Sequence, residues 1–94
     1  MYCYRMRRKL DRFEVAHGRH IGAVLARERE RVKVSAAEIA RASAVSLDAI
    51  RSLETGRVPT PGFLTVARLA DALSISLDEL HAQASASADG ERTP

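Results

Sequence analysis

With 94 residues, 46% of them apolar but only 4% aromatic, the chain has material for one small domain with an aliphatic core. No run approaches the roughly 18 apolar residues that a membrane helix needs, residues 1–20 are basic without the apolar block of a secretion signal, and a single cysteine, Cys3, excludes an intrachain disulfide and suits a reducing cytoplasm. The net charge of +3 is unevenly spread: residues 1–57 hold 13 Lys/Arg against 7 Asp/Glu, a net +6, and residues 58–94 hold 2 against 5, a net −3, so the first part offers a face to a polyanion.

Ala and Leu lead the apolar residues and alternating β-branched runs are scarce, which predicts an all-α fold. Residues 1–18 form a basic N-terminal extension carrying Arg5, Arg7, Arg8, Lys9 and Arg12. Met6, Leu10 and Phe13 recur there at helical spacing, allowing a short helix that His17-Gly18 ends. A phosphate-seeking arm and a loosely ordered leader both fit this extension. From Arg19 to Val32, Ile21, Val24, Leu25 and Val32 mark one helical face, with Arg27, Glu28, Glu30 and Arg31 opposite.

Ser35 with Glu38 three residues on has capping-box spacing and starts a short second helix, with Ile39 and Ala40 inward and Ala42-Ser43-Ala44 ending it. Ser46 caps a third helix with Asp48 in its first turn, Ile50 and Leu53 inward, and Gly56 as a left-handed stop. After the loop Arg57-Val58-Pro59-Thr60, a fourth helix is expected to start at Thr60-Pro61. Its apolar residues Phe63, Leu64, Val66, Ala67, Leu69, Ala70 and Leu73 make it the expected centre of the core. Ser76-Leu77-Asp78-Glu79 opens a fifth helix with Leu77 and Leu80 inward. The Ser/Ala/Gly-rich residues 84–94 read as a disordered tail, leaving 19–83 as the folded domain.

Residues 35–56, two short capped helices joined by a turn, thus have the pattern of a helix-turn-helix, which lays its second helix, here about residues 46–55, in the major groove of double-stranded DNA. Base edges are read from the first two turns of that helix, and the outward residues there are Leu47, Asp48, Arg51 and Ser52. Arg51 has the fork that grips guanine O6 and N7 or a phosphate, and Leu47 suits a thymine methyl. Asp48 either accepts from cytosine N4 or supports the helix N-terminus. Backbone amides around Ala36 and Ser46 are placed for phosphates.

The joint spacing of Ile39-Ala40, Ile50, Leu53-Glu54-x-Gly56, Pro61 and Leu69-Ala70-x-Ala72-Leu73-x-Ile75-Ser76-Leu77-Asp78-x-Leu80 resembles the phage Cro and repressor, or Xre, family of helix-turn-helix domains. The similarity runs from about Ile21 to Leu80, roughly two thirds of the chain. It implies a compact five-helix lambda-repressor-like domain that binds operator DNA as a symmetric homodimer and represses transcription. It also implies a salt bridge between Arg29 and Glu54, and a phosphate contact from Arg57 that the Thr60 hydroxyl can supplement. Arg27, Arg31, Lys33 and Arg41 lie near enough in sequence to add to these contacts, although helix geometry cannot place them all on one face. The chain departs from the family pattern at Ala36, usually glutamine, at Ser43, usually apolar, and at Ala44, usually glycine.

No other chemistry has a comparable frame. His17, His20, His81 and Cys3 match no common zinc spacing, and neither a nucleophile elbow nor a Gly-rich phosphate loop is present. The reading is therefore a cytoplasmic transcriptional regulator of a bacterium or phage, nucleoid-associated when bound, non-enzymatic, without metal, cofactor or membrane attachment. The alternative is a protein-interaction module, such as an antitoxin or regulator subunit. Its partner would meet the fifth helix or the N-terminal extension.

Overall fold

The computed structural model describes residues 12–92, with side chains described through Ala88. Five helices follow in order: α1 (Arg12–Arg31), α2 (Ala36–Ser43), α3 (Leu47–Glu54), α4 (Phe63–Ala72) and α5 (Leu77–Arg92), with no strand among the described residues. The expected helix from Arg19 starts earlier and runs straight through His17-Gly18. Gly18 does not stop the helix because it serves packing. A Cβ there would stand 1.8 Å from the Pro59 carbonyl oxygen, and one on Gly22, a turn later, 1.9 Å from that of Leu53. Mid-helix glycine costs roughly 1 kcal/mol against alanine; here it lets α1 lie directly against the backbone of the α3 terminus and the loop beyond. The remainder of the predicted short N-terminal helix falls outside the described residues.

Ser35 and Ser46 cap α2 and α3. The Ser35 hydroxyl accepts from the Glu38 amide at 3.1 Å, and the Glu38 carboxylate accepts from the Ser35 amide at 2.8 Å. Those bonds hold the Glu38 carboxyl below its ordinary range. Ala44, the C-cap residue that follows α2, stands at φ 62°. Ser43 reconciles a hydroxyl with a buried site by donating to the Ile39 carbonyl at 2.7 Å and accepting from the Val45 amide at 3.3 Å. Gly56, at φ 79°, completes a Schellman ending to α3: its amide donates to the Leu53 carbonyl and that of Arg57 to Ser52.

The fourth helix starts at Phe63, two residues after Pro61, on an N-cap of Gly62 that supplies no side-chain hydrogen bond. A proline disfavours helical geometry in the residue before it, so Pro59-Thr60-Pro61 holds the chain out of the helix until both prolines are passed. In consequence Phe63 and Leu64 occupy the first turn, beyond the buried stripe Val66, Leu69, Ala70 and Leu73, and stay 73% and 58% exposed rather than entering the core. Val32 and Leu77, expected inward, are also exposed.

The core joins Ile21, Val24 and Leu25 of α1 to Ile39, Ile50, Leu53, the α4 stripe and Leu80. Its most extensive packing is between α1 and α5, so α4 is not the central element. Helix α5 also continues through Arg92, where the composition suggested disorder from residue 84. Leu80, Ala84 and Ala88 recur every four residues and are fully buried. The small side chains of Ala84 and Ala88 let α5 approach α1 closely, and alanine favours the helix. The Ser/Ala repeat is thus a packing surface.

Candidate nucleic-acid interface

Helix α3 is anchored on one side and open on the other. Ile50 and Leu53 are 1% and 2% exposed, while Asp48 and Arg51 are exposed and Leu47 and Ser52 half-buried. Residues 47 and 51, and 48 and 52, are four apart, so the structure places all four on one contiguous helical face. Asp48 lies in the first turn, where a carboxylate complements the helix dipole. Arg51 is the cation of this face.

Two contacts from α1 fix where that face stands. Arg29 Nε donates to Glu54 Oε2 at 2.9 Å and Arg29 Nη2 to Glu54 Oε1 at 3.0 Å, a bidentate bridge at the last residue of α3. Two and three turns earlier on α1, Gly22 and Gly18 meet the carbonyls of Leu53 and Pro59. The pull of Glu54 raises the Arg29 guanidinium further above its ordinary range, first through that hydrogen bond. Sequence reasoning missed the glycines; the Gly18-x-x-x-Gly22 spacing on the buried side of α1 is the signal that reveals them.

At the helix entrances, Ser46 Oγ accepts from the Ala49 amide at 3.1 Å, which leaves its hydroxyl proton as well as its backbone to face a phosphate. In α2 the capping box takes the Glu38 amide, and the first-turn amides of Ala36 and Ala37 have no carbonyl one turn back within the helix. The Ala36 side chain is half-buried against the core, so any contribution at this position comes from its backbone. Arg57 is exposed just past the Schellman turn, with Nε 3.4 Å from Thr55 Oγ1, and Thr60 is exposed in the same loop. The further cations Arg27, Arg31, Lys33 and Arg41 are all exposed; Arg27 bonds Gln83 on α5 and Arg31 bonds Glu28 within α1.

Among the described residues no cluster of three or more His, Cys, Asp or Glu could hold a metal ion, and no helix is long and apolar enough to cross a membrane. The structure does bring together His17 and His81, which the sequence left separate: His17 Nε2 lies 3.1 Å from His81 Nδ1, across α1 and α5.

A search of curated proteins finds no match to this chain. A family model described as a helix-turn-helix domain matches residues 20–83, which include α2 to α4, most of α1 and the first turns of α5. That match covers well over half of the sequence and coincides with the capped α2–α3 pair described above. The chain therefore belongs to the helix-turn-helix domain family, a DNA-binding class of fold.

Proposed function

We propose that this protein is a transcriptional regulator of the Xre type, a repressor that binds a specific double-stranded operator as a homodimer with α3 in the major groove. The observation that carries this reading is the outward strip Leu47, Asp48, Arg51 and Ser52 on a helix whose opposite side is locked by Ile50, Leu53 and the Arg29–Glu54 bridge. Base reading requires side chains held in register with base edges, and a helix fixed at both its buried face and its end meets that requirement. Arg51 reads a base, by preference guanine through O6 and N7, and Leu47 and Ser52 make the smaller contacts. Asp48 accepts from a cytosine N4 or supports the helix entrance. The amides at Ala36 and Ser46, with Arg57 and Thr60, hold the flanking phosphates.

One head with a single arginine reader binds weakly, and two heads on a symmetric site multiply affinity without new contacts. Selection of bound duplexes from a random pool, with oligomeric state measured on the same complex, tests the whole reading. Arg51→Ala is expected to relax the preference at one base pair of each half-site at a cost of about 1–3 kcal/mol. Arg57→Ala is expected to weaken every sequence alike and to lower the salt slope by about one. Wild-type affinity in both variants would place the docking face elsewhere. A steep salt dependence with no selected sequence would favour a protein-interaction module instead.

A further inference from the structure

The chain is poor in aromatic residues, and the two phenylalanines within the described region are not in the core. Both line one cavity of about 390 Å3, bounded by α1, α5, the start of α4 and the α3–α4 loop. Phe13 and His17, with ring centroids 5.7 Å apart, and His17 and His81, 5.1 Å apart and edge to face, form an aromatic ladder along one side. Pro59 and Pro61 of the loop, Phe63 and Val66 of α4 and Ile21 of α1 complete the apolar lining. The polar part of the lining is Glu14, Thr60 and the two imidazoles. The volume lies within the range of small-molecule sites, and apolar walls with a few oriented polar groups are their usual lining.

Phe63, 73% exposed, thus lines the same open cavity as the Phe13, His17 and His81 rings. We propose that this cavity binds a small uncharged aromatic molecule, with its ring between the Phe13 ladder and Phe63 and its polar edge hydrogen-bonded at the His17–His81 end. Flat rings gain edge-to-face and stacking contacts from these walls that an aliphatic ligand of equal size does not. A net charge on the ligand would be desolvated against mostly apolar surface, and an anion would also face Glu14. The ligand would press on Pro59, Thr60 and Pro61, the segment following Arg57, which makes the cavity an effector site. This last step rests on the DNA-binding reading.

The test titrates the full-length protein, without DNA, with indole, phenol, benzoate and cyclohexanol, followed by amide chemical shifts. Saturable shifts with indole and phenol are expected at Ile21, Thr60, Val66 and His81, with benzoate and cyclohexanol weaker by about tenfold. Phe63→Ala and His81→Ala alter exposed positions, so helicity should be unchanged while indole affinity falls by about tenfold. No saturable shift, equal binding of cyclohexanol, or indole binding indifferent to both substitutions would overturn the site. Operator affinity is then compared with and without saturating indole. A change of severalfold supports the effector role, and no change overturns that role while leaving the site.

Discussion

Arg29 grips Glu54 with two parallel hydrogen bonds of 2.9 and 3.0 Å, and its remaining terminal nitrogen, Nη1, donates to the Val34 carbonyl at 2.9 Å. One guanidinium therefore joins α1, the α1–α2 connection and the end of α3. With side-chain exposures of 17% and 16%, the pair is shielded enough that a lone survivor is left poorly solvated. Glu54→Ala and Arg29→Ala should each cost about 2 kcal/mol of unfolding free energy in urea. The double variant should cost clearly less than their sum, and the exchange Arg29→Glu with Glu54→Arg should recover part of the loss. Strictly additive effects would mean that the two side chains do not support one another.

Gly18 and Gly22 are limited by backbone atoms. The group facing each added Cβ is a carbonyl oxygen, under 2 Å away, which cannot swing aside as a flexible side chain can. Alanine at either position should push α1 off the α3 terminus and cost about 3 kcal/mol, the upper end for overpacking. Thermal unfolding of the two variants measures this. A loss below about 0.5 kcal/mol, the usual size for an indifferent surface site, would show that α1 and α3 do not meet as closely as described.

The inward half of the helix-turn-helix is legible because its signals are local. Ser35 with Glu38, Ser46, Gly56 and the Ile50/Leu53 spacing each declare a cap, a stop or a buried face within a few residues. What was not legible depends on partners distant in sequence. Gly18 reads as a terminator until Pro59 is seen against it, and 84–92 read as a tail until Ala84 and Ala88 are seen buried. Hydrophobicity alone puts Phe63 and Leu64 in the core, but the paired prolines delay α4 and turn its first residues outward. The candidate contact residues share a face because helical spacing alone ensures it, whereas the His17–His81 contact spans 64 positions and has no local signature.

Two positions hold stability that the sequence does not use. Ala44 adopts φ 62°, a left-handed conformation that costs a residue with a Cβ on the order of 1 kcal/mol. Gly62 holds N-cap geometry, φ −66° and ψ 144°, close to that of Ser46 at −67° and 151°, yet offers no hydroxyl. Its would-be Cβ meets nothing within 4 Å. Ala44→Gly should therefore stabilise by about 1 kcal/mol, and Gly62→Ser by roughly a few tenths of a kcal/mol through a new bond to a first-turn amide of α4. Urea midpoints of the single and double variants check both, and the gains should add because the sites share no partner. Destabilisation by either substitution would contradict the backbone assigned there.

Stability should fall on mild acidification, in a window set by His17. Its imidazole is held below the ordinary value of 6.5, first by burial and then by the neighbouring imidazoles of His81 and His20. The folded protein thus resists a proton that the unfolded chain accepts. The contribution of His17 is whole above about pH 6.5 and shrinks as pH falls below that value, until the folded form is protonated too. Glu38 adds a separate, lower window: its carboxyl is held below 4.5 by the Ser35 amide and hydroxyl, so its contribution is present above that value and lost beneath it. Unfolding free energies measured in urea from about pH 7.5 down to about pH 5.5 should decline for the wild type. His17→Gln, which keeps a polar side chain but cannot titrate, should flatten that decline while leaving the loss below pH 4.5 in place. A slope between pH 7.5 and 5.5 that survives the substitution unchanged would assign the acid sensitivity to another group.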